Sequence, residues 1–107
     1  MKVTAEYTRF VLDQLSGLGN VTARSMFGGV GLYSSGVFFA IIARDVLYFK
    51  VDKHNLPDYK RARMKPFKPF DDRPTSMKYY QVPLTVLECA DDLVSWARKS
   101  VQAAERT

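Results

Sequence analysis

Few residues in this chain are able to do covalent or metal chemistry. His54 and Cys89 are its single histidine and single cysteine. A Cys–His dyad would need both side chains brought together in the fold. Cys89 follows the apolar Val86 and Leu87, however, which favours a small buried core residue. A zinc site needs several such ligands. We therefore expect a non-enzymatic protein with no catalytic residue, no metal and no cofactor.

Gly28, Gly29 and Gly31 are the next candidates, because glycine-rich loops can cradle phosphates. The dinucleotide fingerprint leads into a helix, and the Walker loop ends in Gly-Lys-Ser or Gly-Lys-Thr. Here the glycines lead into Leu32-Tyr33 and further strand-like residues. The pattern predicts a structural bend, most simply a β-bulge. A small enzyme or ligand-binding domain with a pocket beside Gly28-Gly29 is the alternative hypothesis.

Positive charge is concentrated in one segment of the chain. Residues 50–78 hold nine Lys/Arg and four Asp/Glu, whereas the remaining residues hold seven of each, so this segment carries the whole net charge of +5. The candidate contact residues are Lys50, Lys53, Lys60, Arg61, Arg63, Lys65, Lys68, Arg73 and Lys78. Such a polarised protein attracts an anionic partner at low salt.

The basic residues alternate with aromatic residues, including Tyr59, Phe67, Phe70, Tyr79 and Tyr80. Cations with exposed aromatic rings suit single strands or RNA, and cations alone suit the phosphates of a duplex. The opposing interpretation is that the charges are solvated loop residues and the rings anchor the loop. A third is a protein-docking module, with a homodimer through a sheet edge or the last helix as a special case.

The whole composition is that of an ordinary soluble domain. The 107 residues are 47% hydrophobic and 25% charged, which predicts one domain, residues 1–107. The longest apolar run, Val37–Ala43, is too short to cross a bilayer. The amino terminus shows no secretory signal pattern, and a single cysteine permits no internal disulfide. These features favour the reducing cytoplasm and no membrane association.

Hydrophobic spacing predicts a helix over residues 1–19, capped by Thr4. Its apolar face consists of Tyr7, Phe10, Val11, Leu15 and Leu18. Strand patterns follow over residues 21–27, 30–33, 37–43 and 46–51. Turns at residues 34–36 and 44–45 join them into an antiparallel meander. Leu47, Phe49 and Val51 are expected on one face, and Val46, Tyr48 and Lys50 on the other.

The second half of the chain is more irregular. Residues 55–63 predict a short helix with Pro57 in its first turn, and residues 65–70 a loop pinned by Phe67 and Phe70. Residues 77–82 predict a strand with Tyr79 and Tyr80 on opposite faces. A last helix, capped by Asp91, is expected to bury the residues Leu93, Trp96, Ala97, Val101 and Ala104. These elements predict a two-layer α+β fold, with a curved antiparallel sheet and flanking N- and C-terminal helices on one side.

Several blocks, in an order that runs over nearly the whole chain, carry a resemblance to a known family. They are Arg24-Ser-Met-Phe-Gly-Gly-Val-Gly-Leu-Tyr33, Phe39-Ala40, Leu47-Tyr-Phe-Lys-Val-Asp52, Pro66-Phe67, Tyr79-Tyr-Gln-Val-Pro83 and Leu93-Val-Ser-Trp-Ala97. With these blocks the chain resembles the TfoX (Sxy) amino-terminal domain family. The resemblance implies a two-layer α+β domain of the secretion-chaperone-like kind.

The resemblance also implies a bacterial regulator of competence genes for DNA transformation, working with the cyclic-AMP receptor protein at promoters. Full-length regulators of this type carry a second, carboxy-terminal domain, which we expect to be absent here. The family offers no catalytic residues to carry over. Its motif positions are Arg24, Met26, Phe27, Gly28 and Gly29, which we interpret as structural.

Overall fold

The computed structural model describes residues 3–26, 28–68 and 76–107 of the chain. Within these residues the α-helices are α1 (Ala5–Gln14), α2 (Leu56–Arg61), α3 (Leu84–Leu87) and α4 (Ala90–Glu105), with a 3-10 turn at Ser16–Leu18. The strands are β1 (Val21–Met26), β2 (Gly29–Ser34), β3 (Val37–Ala43), β4 (Val46–Lys50), β5 (Pro66–Phe67) and β6 (Ser76–Gln81). The α+β fold expected from the sequence is confirmed.

The strands form a single antiparallel sheet in the order β1-β2-β3-β4-β6-β5. Its first four strands are the predicted meander. Ser35 and Gly36, with φ of 47° and 84°, connect β2 to β3, and Arg44 and Asp45, with φ of 52° and 55°, connect β3 to β4. Two residues at positive φ match the right-handed twist of a hairpin. Both predicted turns are therefore confirmed.

Gly28 lies in the tight connection between β1 and β2, Gly29 is the first residue of β2, and the prediction of a bulge there was wrong. Met26 pairs directly with Gly29, and Gly28 has a φ of 80°. A Cβ atom on Gly29 would lie 2.8 Å from the carbonyl oxygen of Ile42, because β3 passes close to it. The pair is a structural bend, as expected, but it reverses the chain and does not kink one strand.

The irregularity of the sheet lies instead between β2 and β3. The register changes from Leu32 opposite Ala40 to Tyr33 opposite Phe38, which inserts Phe39 as an extra residue in β3. Phe39 and Ala40 are consequently both fully buried, while Phe38 is only half-buried. β3 was expected to be covered on both sides, but Phe38 and Ile41, which face away from the core, are only half-buried, so the prediction was wrong for that side.

The segment of residues 65–70 was predicted to be a loop, but Pro66–Phe67 forms the short edge strand β5 against β6. The Gln81 N–H donates to the carbonyl oxygen of Lys65 at 2.9 Å. Proline is tolerated at a sheet edge because no neighbouring strand needs its missing N–H. Phe67 is buried with its ring 4.8 Å from that of Tyr48, so its anchoring role is confirmed. Phe70 lies outside the described residues.

The core lies between one face of the sheet and the helices. The predicted inward face of the β4 region contributes Leu47, Phe49 and Val51. The helical side contributes Val11 of α1, its C-cap residue Leu15, and Leu93 and Ala97 of α4. Phe10 was expected to join them, but it is 41% exposed. Successive residues of a helix point 100° apart, so Phe10 and the neighbouring Val11 cannot both face a narrow apolar contact.

Helix α4 begins two residues earlier than predicted. Cys89 occupies the N-cap position, Asp91 lies in the first turn, and the buried side chains are Leu93, Val94, Ala97, Ser100 and Ala103. Trp96, Val101 and Ala104, which were expected to be buried, are half-buried. Cys89 is exposed, so the prediction of a buried core cysteine was also wrong. Its neighbours Val86 and Leu87 are buried in α3, and the chain turns outward between α3 and α4.

The start of α1 is fixed to the β3–β4 turn. The Thr4 hydroxyl accepts the N–H of Tyr7 at 3.2 Å, which confirms Thr4 as the N-cap. The Thr4 N–H and hydroxyl donate to the two carboxylate oxygens of Asp45 at 2.8 and 3.0 Å. Asp45 thus orients the capping residue from the β3–β4 turn.

Replacing Asp45 by glycine should lower the free energy of unfolding by about 1–2 kcal/mol, because α1 loses the support of its N-cap. Glycine fits the positive φ of this position without strain. Arg44→Gly, in the same turn and at nearly the same φ, is the matched control and should change stability little. Urea unfolding followed by circular dichroism measures both. Equal losses in the two variants would contradict the proposed anchor.

Candidate nucleic-acid interface

The basic residues cluster most densely on α2 and the chain that follows it. Those in the part of this stretch that the structure describes are all exposed: Lys60, Arg61, Arg63, Lys65 and Lys68. No carboxylate lies between residues 60 and 68. We call these residues the basic segment.

Local backbone chemistry explains why this segment projects outward. Pro57 occupies the first turn of α2, as predicted, where the missing N–H costs nothing. Arg63 then adopts a φ of 59°, and the Met64 N–H donates back to the carbonyl oxygen of Tyr59. This ends the helix and directs the chain toward β5, with the charged side chains in solvent.

Asp58 is the carboxylate nearest to the basic segment in sequence, and it is already paired. Its two oxygens accept from Arg61 at 2.8 Å and from Lys99 at 2.9 Å. The Lys60 Nζ lies 5.6 Å from the centroid of the Tyr80 ring, a cation–π distance. For Arg63, Lys65 and Lys68, no carboxylate of the same stretch competes with a phosphate or an acidic protein surface.

The other members of the predicted set are distributed differently. Lys53 is exposed in the turn before α2, and Lys78 is exposed on β6. Arg73 lies outside the described residues. Lys50 is 8% exposed and points to the face of the sheet opposite the helices, with its Nζ 5.2 Å from the Tyr79 ring centroid. Burial, and then the nearby charge of Lys78, lower its pKa. The basic residues of 50–78 therefore do not form one surface.

A row of aromatic side chains on that opposite face was missed in the sequence. The Tyr33 and Phe38 ring centroids are 5.1 Å apart, and those of Phe38 and Tyr79 are 5.8 Å apart. Arg24 lies over the far ring, 5.7 Å from the Tyr33 centroid. Burial, and then Tyr33, raise the pKa of Tyr79 to about 12. Alternation in the strands was the available signal, because the outward positions are aromatic where an exposed sheet face is normally polar.

Met26, another position of the family motif, packs beside Gly31 and Phe38 on this face. The Met26 sulfur and methyl group, together with the Phe38 ring, lie within 3.0–3.1 Å of where a Cβ on Gly31 would stand. A side chain at Gly31 would displace both. Phe27, the central residue of the motif, lies outside the described residues.

A groove of about 460 Å³ runs between α1 and β1, reaching Val30 beside the glycine turn. Its lining supplies hydroxyl groups from Thr4, Thr8 and Ser25 and the guanidinium group of Arg9. Arg24 also borders the groove, but its guanidinium group lies over the Tyr33 ring. The lining residues include no carboxylate, imidazole or thiol, and His54 is exposed in the turn before α2. The described residues contain no group of three or more His, Cys, Asp or Glu placed to hold a metal ion.

Membrane insertion through a helix finds no support in residues 3–26, 28–68 and 76–107. None of the helices they form combines the length and the apolar character that crossing a bilayer requires.

The fold defines a class of small α+β domains in which an open antiparallel sheet carries its helices on one face. Within that class, the chain belongs to the TfoX N-terminal domain family, whose model matches residues 13–104. The matched range runs from α1 to the last turn of α4 and confirms the resemblance found in the sequence. A comparison with curated proteins found no match.

Proposed function

We propose that this protein is a non-enzymatic TfoX-type regulatory domain of the bacterial cytoplasm, acting in transcription regulation of the competence type. It contacts DNA, a transcription factor of the cyclic-AMP receptor protein type, or both. One observation carries the proposal: the basic segment presents five exposed cations over nine residues, with no carboxylate among them. Family membership supplies the regulatory context.

The mode of contact is electrostatic. Lysine and arginine side chains neutralise phosphates and release counterions, so that binding weakens as salt rises. The arginines add bidentate contacts to phosphate or carboxylate oxygens. An acidic patch on a transcription factor would engage the same side chains. The properties to measure are the salt dependence of binding and the loss of binding when these lysine and arginine side chains are replaced by neutral ones.

A ligand-binding domain is the second candidate function, and the groove beside Val30 favours it. The groove is mainly apolar, with Arg9 at hand for an anionic group. Its lining has no acid–base pair for catalysis. A small anionic amphiphile is the chemistry that it would accept.

Fluorescence anisotropy with a labelled DNA duplex tests the proposed function. The triple variant Arg63→Asn/Lys65→Gln/Lys68→Gln removes three exposed cations, and asparagine suits the positive φ of residue 63. We expect micromolar binding by the wild type at about 50 mM salt, falling steeply toward 200 mM. In the variant, binding should weaken and the slope of log K against log salt should decrease by about one per cation removed.

The matched control is Arg9→Gln/Arg44→Asn/Arg98→Gln, which removes the same charge from α1, the β3–β4 turn and α4. It should retain most of the affinity. Equal losses in both variants would show that only net charge matters and would contradict a specific face. No binding by the wild type even at low salt would remove direct duplex contact, and pull-down with a transcription factor would then decide the protein-docking form of the proposal.

A further inference from the structure

The strand register assigns a second surface to the side of the sheet opposite the helices, which we call the outer face. Cross-strand partners share a face, so the line Arg24, Gly31, Ile41, Tyr48 and Gln81 lies on one side. Tyr33 opposite Phe38, and Lys50 opposite Tyr79, lie on the same side. The core residues Leu32, Ala40, Phe49 and Tyr80 occupy the alternate positions and contact the helices.

On the outer face, cations stand at both ends of a continuous row of rings. The order is Arg24, Tyr33, Phe38, Tyr79 and Lys50, with separations of 5.7, 5.1, 5.8 and 5.2 Å between successive charges and ring centroids. We call these five residues the aromatic row. Its rings are half-buried and lie outside the cluster that forms the core. Tyr48 and Phe67 add a second pair of rings toward β5.

Within the described strands, the charged residues of the outer face are cations. Arg24 and Lys50 are its charged residues within the described strands, and none of the outward strand positions there carries a carboxylate. At the β4–β6 end of the row, burial and then the Lys78 charge lower the pKa of Lys50, while the Asp52 carboxylate just beyond β4 acts in the opposite direction.

We propose that the aromatic row binds single-stranded nucleic acid, with bases stacked on Tyr33, Phe38 and Tyr79 and phosphates held by Arg24 and Lys50. Base–aromatic stacking needs unpaired bases, because the bases of a duplex already stack on each other. Rings bounded by cations, with no carboxylate at the outward strand positions described, fit a ligand that is both aromatic and anionic. This surface, and this form of nucleic acid, go beyond the proposed duplex contact of the basic segment.

Anisotropy with a fluorescein-labelled oligothymidylate of about 12 nucleotides tests the proposal. The variant Tyr33→Leu/Phe38→Leu/Tyr79→Leu keeps apolar bulk and removes the stacking surface. We expect its affinity for the single strand to fall at least tenfold, while its affinity for a duplex stays within twofold of the wild type. Phe10→Leu, which alters an exposed ring on α1, is the matched control and should bind both probes as the wild type does.

A charge variant tests the same surface without touching the rings. Arg24→Gln/Lys50→Gln should weaken single-strand binding and reduce its salt slope by roughly 0.7 per cation removed. If the ring variant fails to fold by circular dichroism, this charge variant and the single change Tyr79→Leu decide the question. The variant in the basic segment, Arg63→Asn/Lys65→Gln/Lys68→Gln, should lose duplex affinity and retain the single strand, so failure of either proposal is visible separately.

Three results would overturn the inference. The first is the absence of single-strand binding by the wild type at low salt. The second is equal affinity in the wild type and in folded ring and charge variants. The third is concentration-dependent self-association in sedimentation that the ring variant abolishes without any change in oligothymidylate binding, which would make the outer face a contact between copies of the chain.

Discussion

Replacing Phe49 by alanine should lower the free energy of unfolding by about 3–5 kcal/mol, a large fraction of the stability of a domain of this size. Phe49 is fully buried on β4 and packs against Phe39, with ring centroids 5.7 Å apart. Its cross-strand partners are Ala40 on β3 and Tyr80 on β6. Ala40 is too small to fill the space, so the cavity would collapse only in part.

Urea unfolding, followed by circular dichroism and by the fluorescence of Trp96, measures this change. Phe10→Ala is the control, because the same side chain is removed from a site that is 41% exposed. It should cost less than about 1 kcal/mol. A loss at Phe10 as large as that at Phe49 would mean that α1 packs through a different face.

Replacing Asn55 by alanine should cost about 2–4 kcal/mol, since one buried and one partly buried backbone group would lose their partners at once. Asn55 is 1% exposed. Its side-chain oxygen accepts the Asp52 N–H at 2.8 Å, and its amide donates to the carbonyl oxygen of Lys50 at 3.0 Å. The side chain therefore fixes the chain between β4 and α2.

The position of Asn55 gives this substitution a second expected effect. Lys50 belongs to the aromatic row, and α2 carries the start of the basic segment, so a loosened connection should weaken single-strand and duplex binding together. Unfolding in urea and anisotropy with both probes are the measurements. The neighbouring His54→Ala is the control, because His54 is exposed and donates its backbone N–H, which alanine retains, to the Asp52 carboxylate. A stable Asn55→Ala variant would show that water replaces the lost hydrogen bonds.

Alternation and turn chemistry made most of the sheet readable from the sequence. Leu47, Phe49 and Val51 follow a period of two, which is local information, and Ser35-Gly36 and Arg44-Asp45 lie where the chain must reverse. The short helix begins after Asn55 because Pro57 suits a first turn. Such features depend on the backbone preferences of neighbouring residues, and the tertiary structure has these turns and strands where the sequence predicts them.

The errors fall where local patterns do not contain the answer. Cys89 follows two apolar residues, yet the chain turns outward between α3 and α4 and exposes it. Phe10 fits the helical spacing of an apolar face, but the face through which α1 contacts the core is narrower and leaves Phe10 exposed. Residues 65–70 have a loop-like composition, but β6 offers an edge on which Pro66–Phe67 can pair. Each outcome depends on an element distant in sequence.

By itself, the sequence determined the fold class, the family and the concentration of positive charge in residues 50–78, since these depend on composition, local periodicity and the order of blocks. Only the tertiary structure decided that this charge is divided between two surfaces. Sheet register joins Arg24 and Tyr33 to Phe38, Lys50 and Tyr79, and these five residues lie on five different strands. Register is a relation between distant segments, and the identity of each residue alone does not specify it.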